Sequence, residues 1–249
     1  MIPFLGTALG AVLVFFMKNI SSSLSSTLGG FAGGVMIAAS VFSLLIPAME
    51  WSEALGWLSF LPPSIGFILG IIFFLILDKI IPHIHNDGRR EGARSAFGRN
   101  TMLTLAIAMH NLPEGVAVGV VYAWLLSGTG DVSAASALAL AVGVGIQNFP
   151  EGAIISLPAA AEGMPRTRAF LLGVLSAVVE TLGAVLAIVL TAVFLPALPY
   201  LLGFAAGAMI YVVVEELIPE ATLGGHTNNA TVAFSLGFLI MMILDVAFG

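Results

Sequence analysis

Eight apolar stretches of about 20 residues run through this sequence, and they constrain the fold more than any other feature. A helix of about 20 residues is just long enough to cross a hydrocarbon core of about 30 Å. The stretches are continuous rather than alternating, which argues against a transmembrane β-barrel. Only 9% of the 249 residues are charged, against about 25% in a soluble domain. The pattern predicts an all-α membrane protein, with an unusually apolar soluble bundle as the alternative.

The chain, residues 1–249, is interpreted as a single polytopic membrane domain with eight spans. The predicted spans are about 3–20, 30–49, 63–82, 100–125, 133–160, 167–195, 199–219 and 229–248. The first stretch is interpreted as a retained helix rather than a signal peptide, because Lys18 follows the apolar run instead of preceding it. The longest polar stretch, about 83–99, is a short basic loop, so we expect no appended soluble domain.

The basic residues predict the orientation of the spans. All 8 Lys and Arg residues fall after span one, between spans three and four, or between spans five and six. They are Lys18, Lys79, Arg89, Arg90, Arg94, Arg99, Arg166 and Arg168. If both termini are outside, every one of them is cytoplasmic, as the positive-inside rule requires. We therefore expect odd spans to run inward and even spans outward, in the inner (cytoplasmic) cell membrane.

Three features of the composition narrow the chemistry. The formal net charge of -6 gives no basic surface for nucleic acid. The chain has 0 cysteines, so it forms neither a disulfide nor a thiolate metal site. The sequence contains no Walker or G-x-G-x-x-G pattern, so it does not indicate an ATP-driven pump.

Spans four and five each carry a line of polar residues. The two lines read Met109-His110-Asn111-Leu112-Pro113-Glu114-Gly115 and Ile146-Gln147-Asn148-Phe149-Pro150-Glu151-Gly152. An ionisable residue within a membrane span is a functional-site hypothesis by default. Residues three and four apart share one face of a helix, and each proline frees a backbone carbonyl one turn earlier. Each line therefore predicts one polar face beside a freed carbonyl, an arrangement suited to a cation.

The depth of the two polar lines predicts that they meet. His110 lies about ten residues into span four and Gln147 about fourteen into span five, which places both near the midplane at about 1.5 Å per residue. Because the two spans run in opposite directions, the lines can face each other across a local pseudo-two-fold axis. This arrangement is typical of inverted-repeat transporters.

The carboxylates predict a positive charge at this site. Facing Glu114 and Glu151 side chains repel each other in a low dielectric, unless a cation or a proton lies between them. Imidazole with carboxylate suits zinc, iron or manganese better than magnesium or calcium. Glu180, at similar depth in span six, adds a third carboxylate, and the set is large enough for two metal ions. The alternatives are a polar cluster that only fixes helix packing, and a Glu180 paired with a hydroxyl.

Weaker candidates lie above and below the midplane. In span two, Met36 and Ser43 are seven residues apart, two turns along one face, although methionine usually serves packing. Asp245 near the outer end of span eight can collect cations, or can be an ordinary interfacial acid. A further polar group lies near the inner face. It can form an exit relay for metal, or it can be a set of solvated charges. Its members are Asp78, Glu215, Glu216, Glu220 and His226, with His83, His85 and Asp87 in the loop.

The two polar lines resemble the signature of the ZIP family of divalent metal transporters, and are most similar to its bacterial GufA-like branch. The similarity covers the whole chain, with eight spans and a polar loop between spans three and four. The resemblance implies inward transport of zinc or related ions, such as iron, manganese or cadmium. It also implies a homodimer, with spans one, four, five and six sliding like an elevator against the others. The metal is then the transported substrate, and no cofactor is expected.

The resemblance also implies a role for each site residue. His110, Glu114, Gln147 and Glu151 are implied as ligands of one ion. Asn111, Asn148 and Glu180 are implied for a second ion, with Glu114 and Glu151 bridging the two. Met36 matches a span-two methionine of this branch and is implied as a further ligand.

Two departures from the family pattern bear on metal preference. Gln147 stands where many members have a second histidine, and Asn148 stands where some have aspartate. The site therefore has fewer basic nitrogens and one less possible charge. The loop holds only His83 and His85, fewer histidines than some members carry there.

Three functions compete at this point. The first is a secondary transporter for divalent metal, which is not an enzyme. The second is a membrane-embedded metalloenzyme in which an open metal position activates water, although the sequence has no H-E-x-x-H motif. The third is a proton-coupled cation exchanger that uses the glutamates to carry protons.

Overall fold

A computed structural model describes residues 1–17, 21–84, 90–128, 132–161, 163–223 and 228–248, and of residues 99, 100, 103, 104 and 107 it describes only the backbone. The described residues form eight main helices. They are α1 (Ile2–Phe15), α2 (Ser22–Trp51), α3 (Leu61–Ile80), α4 (Arg99–Ser127), α5 (Ala134–Ala161), α6 (Arg166–Val193), α7 (Leu195–Thr222) and α8 (Asn228–Phe248). A short 3-10 helix, Glu53–Leu58, links α2 to α3.

The helices are those of a membrane protein. Among the described residues, 6 helices are long and apolar enough to cross a bilayer, namely α2, α3, α5, α6, α7 and α8. The other two are α1, which is a shorter apolar helix, and α4, which has 29 residues. Many large apolar side chains of these helices are exposed, as expected for a surface that faces lipid.

The largest shift from a predicted boundary is at the start of α2. This helix begins at Ser22 rather than near residue 30, because the hydroxyl of Ser21 accepts a hydrogen bond from the backbone N–H of Leu24 and caps it. The segment that follows Ser21 is polar, so hydropathy alone does not predict it as part of the span. In the opposite direction, α1 ends at Phe15 rather than near residue 20.

A small sheet lies where the sequence predicts only a basic loop. Strands β1 (His83–Ile84) and β2 (Arg90–Glu91) pair antiparallel, with His83 opposite Glu91. The pairing holds the imidazole of a buried His83 close to the end of α3, so this part of the loop has a defined shape.

The helices pack in pairs whose members are far apart in the sequence but run parallel and in contact. The pairs are α1 with α5, α4 with α6, α2 with α8, and α3 with α7. Between α2 and α8, Gly30 approaches the carbonyl of Ala230 and Gly34 approaches that of Phe234. Residue numbers rise together along both helices, so this pair is parallel. A side chain at either glycine would overlap the facing backbone, which explains the small residues here.

The α1–α5 pair runs opposite to the α4–α6 pair. The side chain of Asn148 in α5 contacts Glu180 in α6, whereas Gly152, later in α5, approaches Gly173, earlier in α6. Helices α5 and α6 are therefore antiparallel. Two similar pairs of opposite direction thus surround the polar lines of α4 and α5.

Helices α2 and α7 each contain a π-helical stretch, at Ala39–Leu45 and Val213–Leu217. Each stretch is followed directly by Ile-Pro. Because Pro47 and Pro219 have no backbone N–H, they cannot continue the regular hydrogen-bond ladder. Such π-bulges are frequent at functional sites. The first of them also corrects the predicted spacing, because Ser43 does not lie two regular turns beyond Met36.

Candidate metal centre

The polar lines of α4 and α5 are buried inside the helix bundle. Six side chains from these two helices have at most 9% of their surface exposed, and Glu180 of α6 has 3%. They are His110, Asn111, Glu114, Gln147, Asn148 and Glu151. Polar groups at such depth need partners or a bound ion, so their hydrogen bonds decide what the site can do.

Helices α4 and α5 are joined by hydrogen bonds at this level. The side-chain Nε2 of Gln147 donates to Glu114 Oε1 over 2.6 Å. The carboxyl groups of Glu114 and Glu151 also lie close enough to interact electrostatically. Two adjacent buried carboxyl groups cannot both carry a charge unless a cation compensates them.

Helix α6 closes one side of the site. The side-chain Nδ2 of Asn148 donates to Glu180 Oε2 over 2.9 Å. Glu180 is placed there because Gly115 of α4 lets the backbones of α4 and α6 touch at Glu180 itself. The amide nitrogen of Asn148 is used in this bond, so its carbonyl oxygen is the group available to a cation.

Helix α7 contributes a partner for the imidazole. The Nε2 atom of His110 lies 2.6 Å from Glu216 Oε1, and both side chains are buried. Glu216 lies in the π-helical stretch of α7, which the sequence interpretation did not connect with His110. Glu215, its neighbour, is only half-buried.

Several buried oxygens at this site have no hydrogen-bond partner among the residues that the structure describes. They are Asn111 Oδ1, Glu114 Oε2, Gln147 Oε1, Asn148 Oδ1 and Glu151 Oε2. Most buried polar atoms in proteins are paired, so a cluster of unpaired acceptors requires a donor or a cation. Oxygen acceptors with one imidazole form a donor set that fits a divalent first-row metal ion.

A cavity of about 270 Å³ lies toward the end of the bundle that holds Asp245. Its lining includes Ser43, Glu50 and Asp245, and the hydroxyl of Ser43 donates to Asp245 Oδ1 over 2.5 Å. Met36 is fully buried and belongs to the main apolar cluster rather than to this cavity.

An apolar layer separates that cavity from the polar lines. Val121 and Leu140 line the cavity, and Ala117 and Val144, one turn nearer to Glu114 and Gln147 along α4 and α5, belong to the same apolar cluster. All four side chains are at most 3% exposed. A hydrated ion does not pass such a layer without a movement of the helices.

A second group of potential ligands lies at the other end of the bundle. Ligand atoms of Asp78, His83 and Glu91 all lie within 4.8 Å of one another, and His83 Nε2 is 3.1 Å from Asp78 Oδ1. Glu91 was not among the predicted exit residues, because only the β1–β2 pairing brings it to His83. Glu220 lines a separate cavity of about 190 Å³ between α2, α5 and α7.

Three residues of the predicted exit group, His85, Asp87 and His226, lie outside the described residues. The sequence interpretation also passed over Thr7 of α1, which is fully buried. A threonine in an apolar helix is not by itself a sequence signal for a functional site, so only its packing identifies it as a candidate.

The chain is similar in sequence to proteins of a known family. A family model described as ZIP zinc transporter matches residues 86–245. The chain is 39% identical to the zinc transporter ZIPB of Bordetella bronchiseptica, over 99% of this chain and 79% of that protein. It is 34% identical to the zinc transporter GufA of Myxococcus xanthus, over 98% of this chain and 94% of that protein. With human zinc transporter ZIP11 the identity is 34%, with 98% of this chain and 94% of that protein covered. The chain therefore belongs to the ZIP family of zinc transporters, which are transporters and not enzymes.

Proposed function

We propose that the chain is a secondary transporter that moves zinc, or a related divalent ion such as iron, manganese or cadmium, into the cytoplasm. The observation that carries this proposal is a cluster of buried oxygens without hydrogen-bond partners among the described residues, which includes the neighbouring carboxyl groups of Glu114 and Glu151. A divalent cation satisfies the charge and the free acceptors together. The names of the relatives favour zinc.

The site is proposed to hold two ions. The first ion is bound by His110, Glu114, Gln147 and Glu151, with Met36 as a further ligand. The second is bound by Asn111, Asn148 and Glu180, with Glu114 and Glu151 bridging. The hydrogen bond from Asn148 to Glu180 supports the second position. It uses the amide nitrogen of Asn148, so the carbonyl oxygen, which has no partner among the described residues, is the atom available to the ion.

The proposed topology has eight spans with both termini outside, in one membrane domain of residues 1–249. The packing supports eight alternating spans. When successive spans cross the membrane in alternating directions, two spans are parallel only if their positions in the chain differ by an even number of spans. The parallel α2 and α8 are six spans apart, and the antiparallel α5 and α6 are one span apart. The inner membrane location and the homodimer remain parts of this proposal, the latter testable by cross-linking.

The proposed route begins at the Ser43–Asp245 cavity and ends near α7. The buried apolar layer around Val121 and Leu140 would close the midplane site from the outside in this conformation. On the other side, Glu216 already contacts His110, and Glu220 lines the neighbouring cavity. Glu215, Glu216, His226 and the Asp78–His83–Glu91 group are proposed to receive the departing ion.

Zinc uptake into proteoliposomes tests the proposed function. Wild-type protein is expected to show saturable zinc flux, and Glu114→Ala and Glu151→Ala are expected to lose it. Glu53→Ala serves as the control, because Glu53 is exposed in the short helix between α2 and α3. Absence of saturable flux in wild type, or unchanged flux in both site variants, would overturn the proposal. Competition by iron, manganese and cadmium in the same assay ranks the ions.

Proton-coupled exchange is the second candidate function. The closeness of the Glu114 and Glu151 carboxyl groups favours it, because the pair can hold a shared proton when no metal is bound. A pH-sensitive dye inside the same liposomes separates the cases. Proton movement that accompanies zinc indicates exchange, whereas zinc flux at constant internal pH indicates uncoupled transport.

A further inference from the structure

Thr7 is an unusual threonine in this molecule. Its side chain is fully buried in α1, and its hydroxyl has no hydrogen-bond partner among the described residues. Helical threonines normally donate to the carbonyl four residues earlier, as Thr27, Thr181, Thr191 and Thr222 do here. The Thr7 hydroxyl is therefore free for a group on another helix.

The packing of Thr7 repeats the packing of Glu180. At Gly115 of α4, a side chain would overlap the backbone carbonyl of Glu180 in α6. At Gly152 of α5, a side chain would overlap the backbone carbonyl of Thr7 in α1. Gly115 and Gly152 each follow the glutamate of a polar line. Thr7 thus holds against α5 the position that Glu180 holds against α4.

A second pair of contacts confirms this equivalence. Gly183 of α6 approaches the carbonyl of Leu112, and Gly10 of α1 approaches the carbonyl of Phe149. Gly183 lies three residues after Glu180, and Gly10 lies three residues after Thr7. The α1–α5 pair and the α4–α6 pair, which run in opposite directions, therefore pack with the same register. A pseudo-two-fold relation exchanges α1 with α6 and α5 with α4.

The same relation identifies the partner of Thr7. Glu180 accepts a hydrogen bond from the Nδ2 of Asn148, which is in the other helix pair. The equivalent of Asn148 in the polar line of α4 is Asn111. Its side chain is fully buried, and both Nδ2 and Oδ1 lack a hydrogen-bond partner among the described residues. Thr7 and Asn111 thus form the counterpart of the Asn148–Glu180 pair.

The two counterparts differ in the length of one side chain. The oxygen of threonine is two bonds closer to the backbone than the carboxylate oxygens of glutamate, a difference of about 2.5 Å. Added to a hydrogen bond of about 2.9 Å, this gives at most about 5.4 Å between Thr7 Oγ1 and Asn111 Nδ2, and less where the two directions are not collinear. One water molecule that makes two hydrogen bonds bridges such a distance.

We propose that Thr7 and Asn111 hold a bridging water molecule, and that Thr7 is thereby a positioning residue for the metal site. The water accepts from Asn111 Nδ2 and donates to Thr7 Oγ1. It fixes the amide so that Asn111 Oδ1, the atom able to bind a cation, faces Glu114 and Glu151. This inference rests on the proposed function, since it assigns a second support to the same site.

Three variants test the role of Thr7 in zinc uptake by proteoliposomes. Thr7→Val keeps the shape but removes the hydroxyl, and we expect the KM for zinc to rise about three- to tenfold, the effect of one lost hydrogen bond. Thr7→Ser keeps the hydroxyl and is expected to restore the KM to within about twofold of wild type. Thr191→Val is the matched control, because Thr191 is equally buried and, within the described part of the chain, its hydroxyl bonds to its own helix.

A double mutant separates positioning from folding. If Thr7 acts through Asn111, Thr7→Val adds nothing to the KM of an Asn111→Ala protein. An additive effect, a Thr7→Val protein with the KM of wild type, or equal losses in Thr7→Val and Thr191→Val would overturn the inference. A general folding defect lowers the yield of folded protein in Thr7→Ser as well. Failure of the proposed function itself is distinct, because wild type then shows no zinc flux.

Discussion

The Nε2 atom of His110 lies 2.6 Å from Glu216 Oε1, so the imidazole of the proposed metal site is paired with a carboxylate from α7. One nitrogen cannot hold a metal ion and this carboxylate at once. The pair therefore connects the proposed ion site with the part of α7 that borders the Glu220 cavity. Because Glu216 lies in a π-helical stretch, a small change in the winding of α7 alters the distance between the two groups.

Replacing Glu216 by glutamine is expected to tighten zinc binding and slow transport. The neutral amide is a weaker partner for the imidazole than a carboxylate, so zinc competes more easily for His110. We expect the Kd for zinc to fall about fivefold, with a lower maximal rate because release slows. Zinc titration of the purified protein and proteoliposome uptake measure the two quantities.

The Kd for zinc of Glu216→Gln can also contradict this role. A higher Kd would show that Glu216 binds the ion directly instead of competing for His110. Glu53→Gln makes the same chemical change on an exposed residue and is expected to alter neither quantity.

Gly115→Ala is expected to destabilise the protein and to reduce transport. A Cβ at this position would overlap the backbone carbonyl of Glu180, so α4 and α6 would have to separate. Overpacking of this kind costs about 1–3 kcal/mol or more, and it moves Glu180 away from Asn148. A lower unfolding temperature in detergent, together with loss of zinc uptake, is the expected result.

The matched control for Gly115→Ala is Gly98→Ala. Gly98 precedes α4 with ordinary backbone angles, and a Cβ there would meet no atom of the described residues within 4 Å. Equal unfolding temperatures for the two variants would contradict the close packing of α4 against α6.

The sequence predicted the composition of each polar line, because helical spacing decides which side chains of one helix share a face. It also predicted that opposite-running spans can bring the lines together, and the structure places Gln147 against Glu114. Helix boundaries were less predictable, since hydropathy marks the apolar part of a helix and not its capped polar start at Ser21.

The partners from other helices could not be predicted. The contact of His110 with Glu216 depends on where the widened turn of α7 lies, and that of His83 with Glu91 depends on a two-residue strand pairing. One signal was available but weak. Leu45-Ile46-Pro47 recurs as Leu217-Ile218-Pro219, and the repeat marks the equivalent π-bulges of α2 and α7.

His110→Ala is expected to weaken zinc binding more than Gln147→Ala. His110 supplies the imidazole of the site, and imidazole is a better ligand for zinc than an amide oxygen. Gln147 also positions Glu114 through the hydrogen bond at 2.6 Å, so its loss still matters, by about tenfold in Kd for a lost supporting contact. His110→Ala is expected to raise the Kd for zinc by about a hundredfold, because it removes a proposed direct ligand rather than a supporting contact. Zinc titration of the purified variants measures both losses, and equal losses would show that the two halves of the site contribute alike despite their different chemistry.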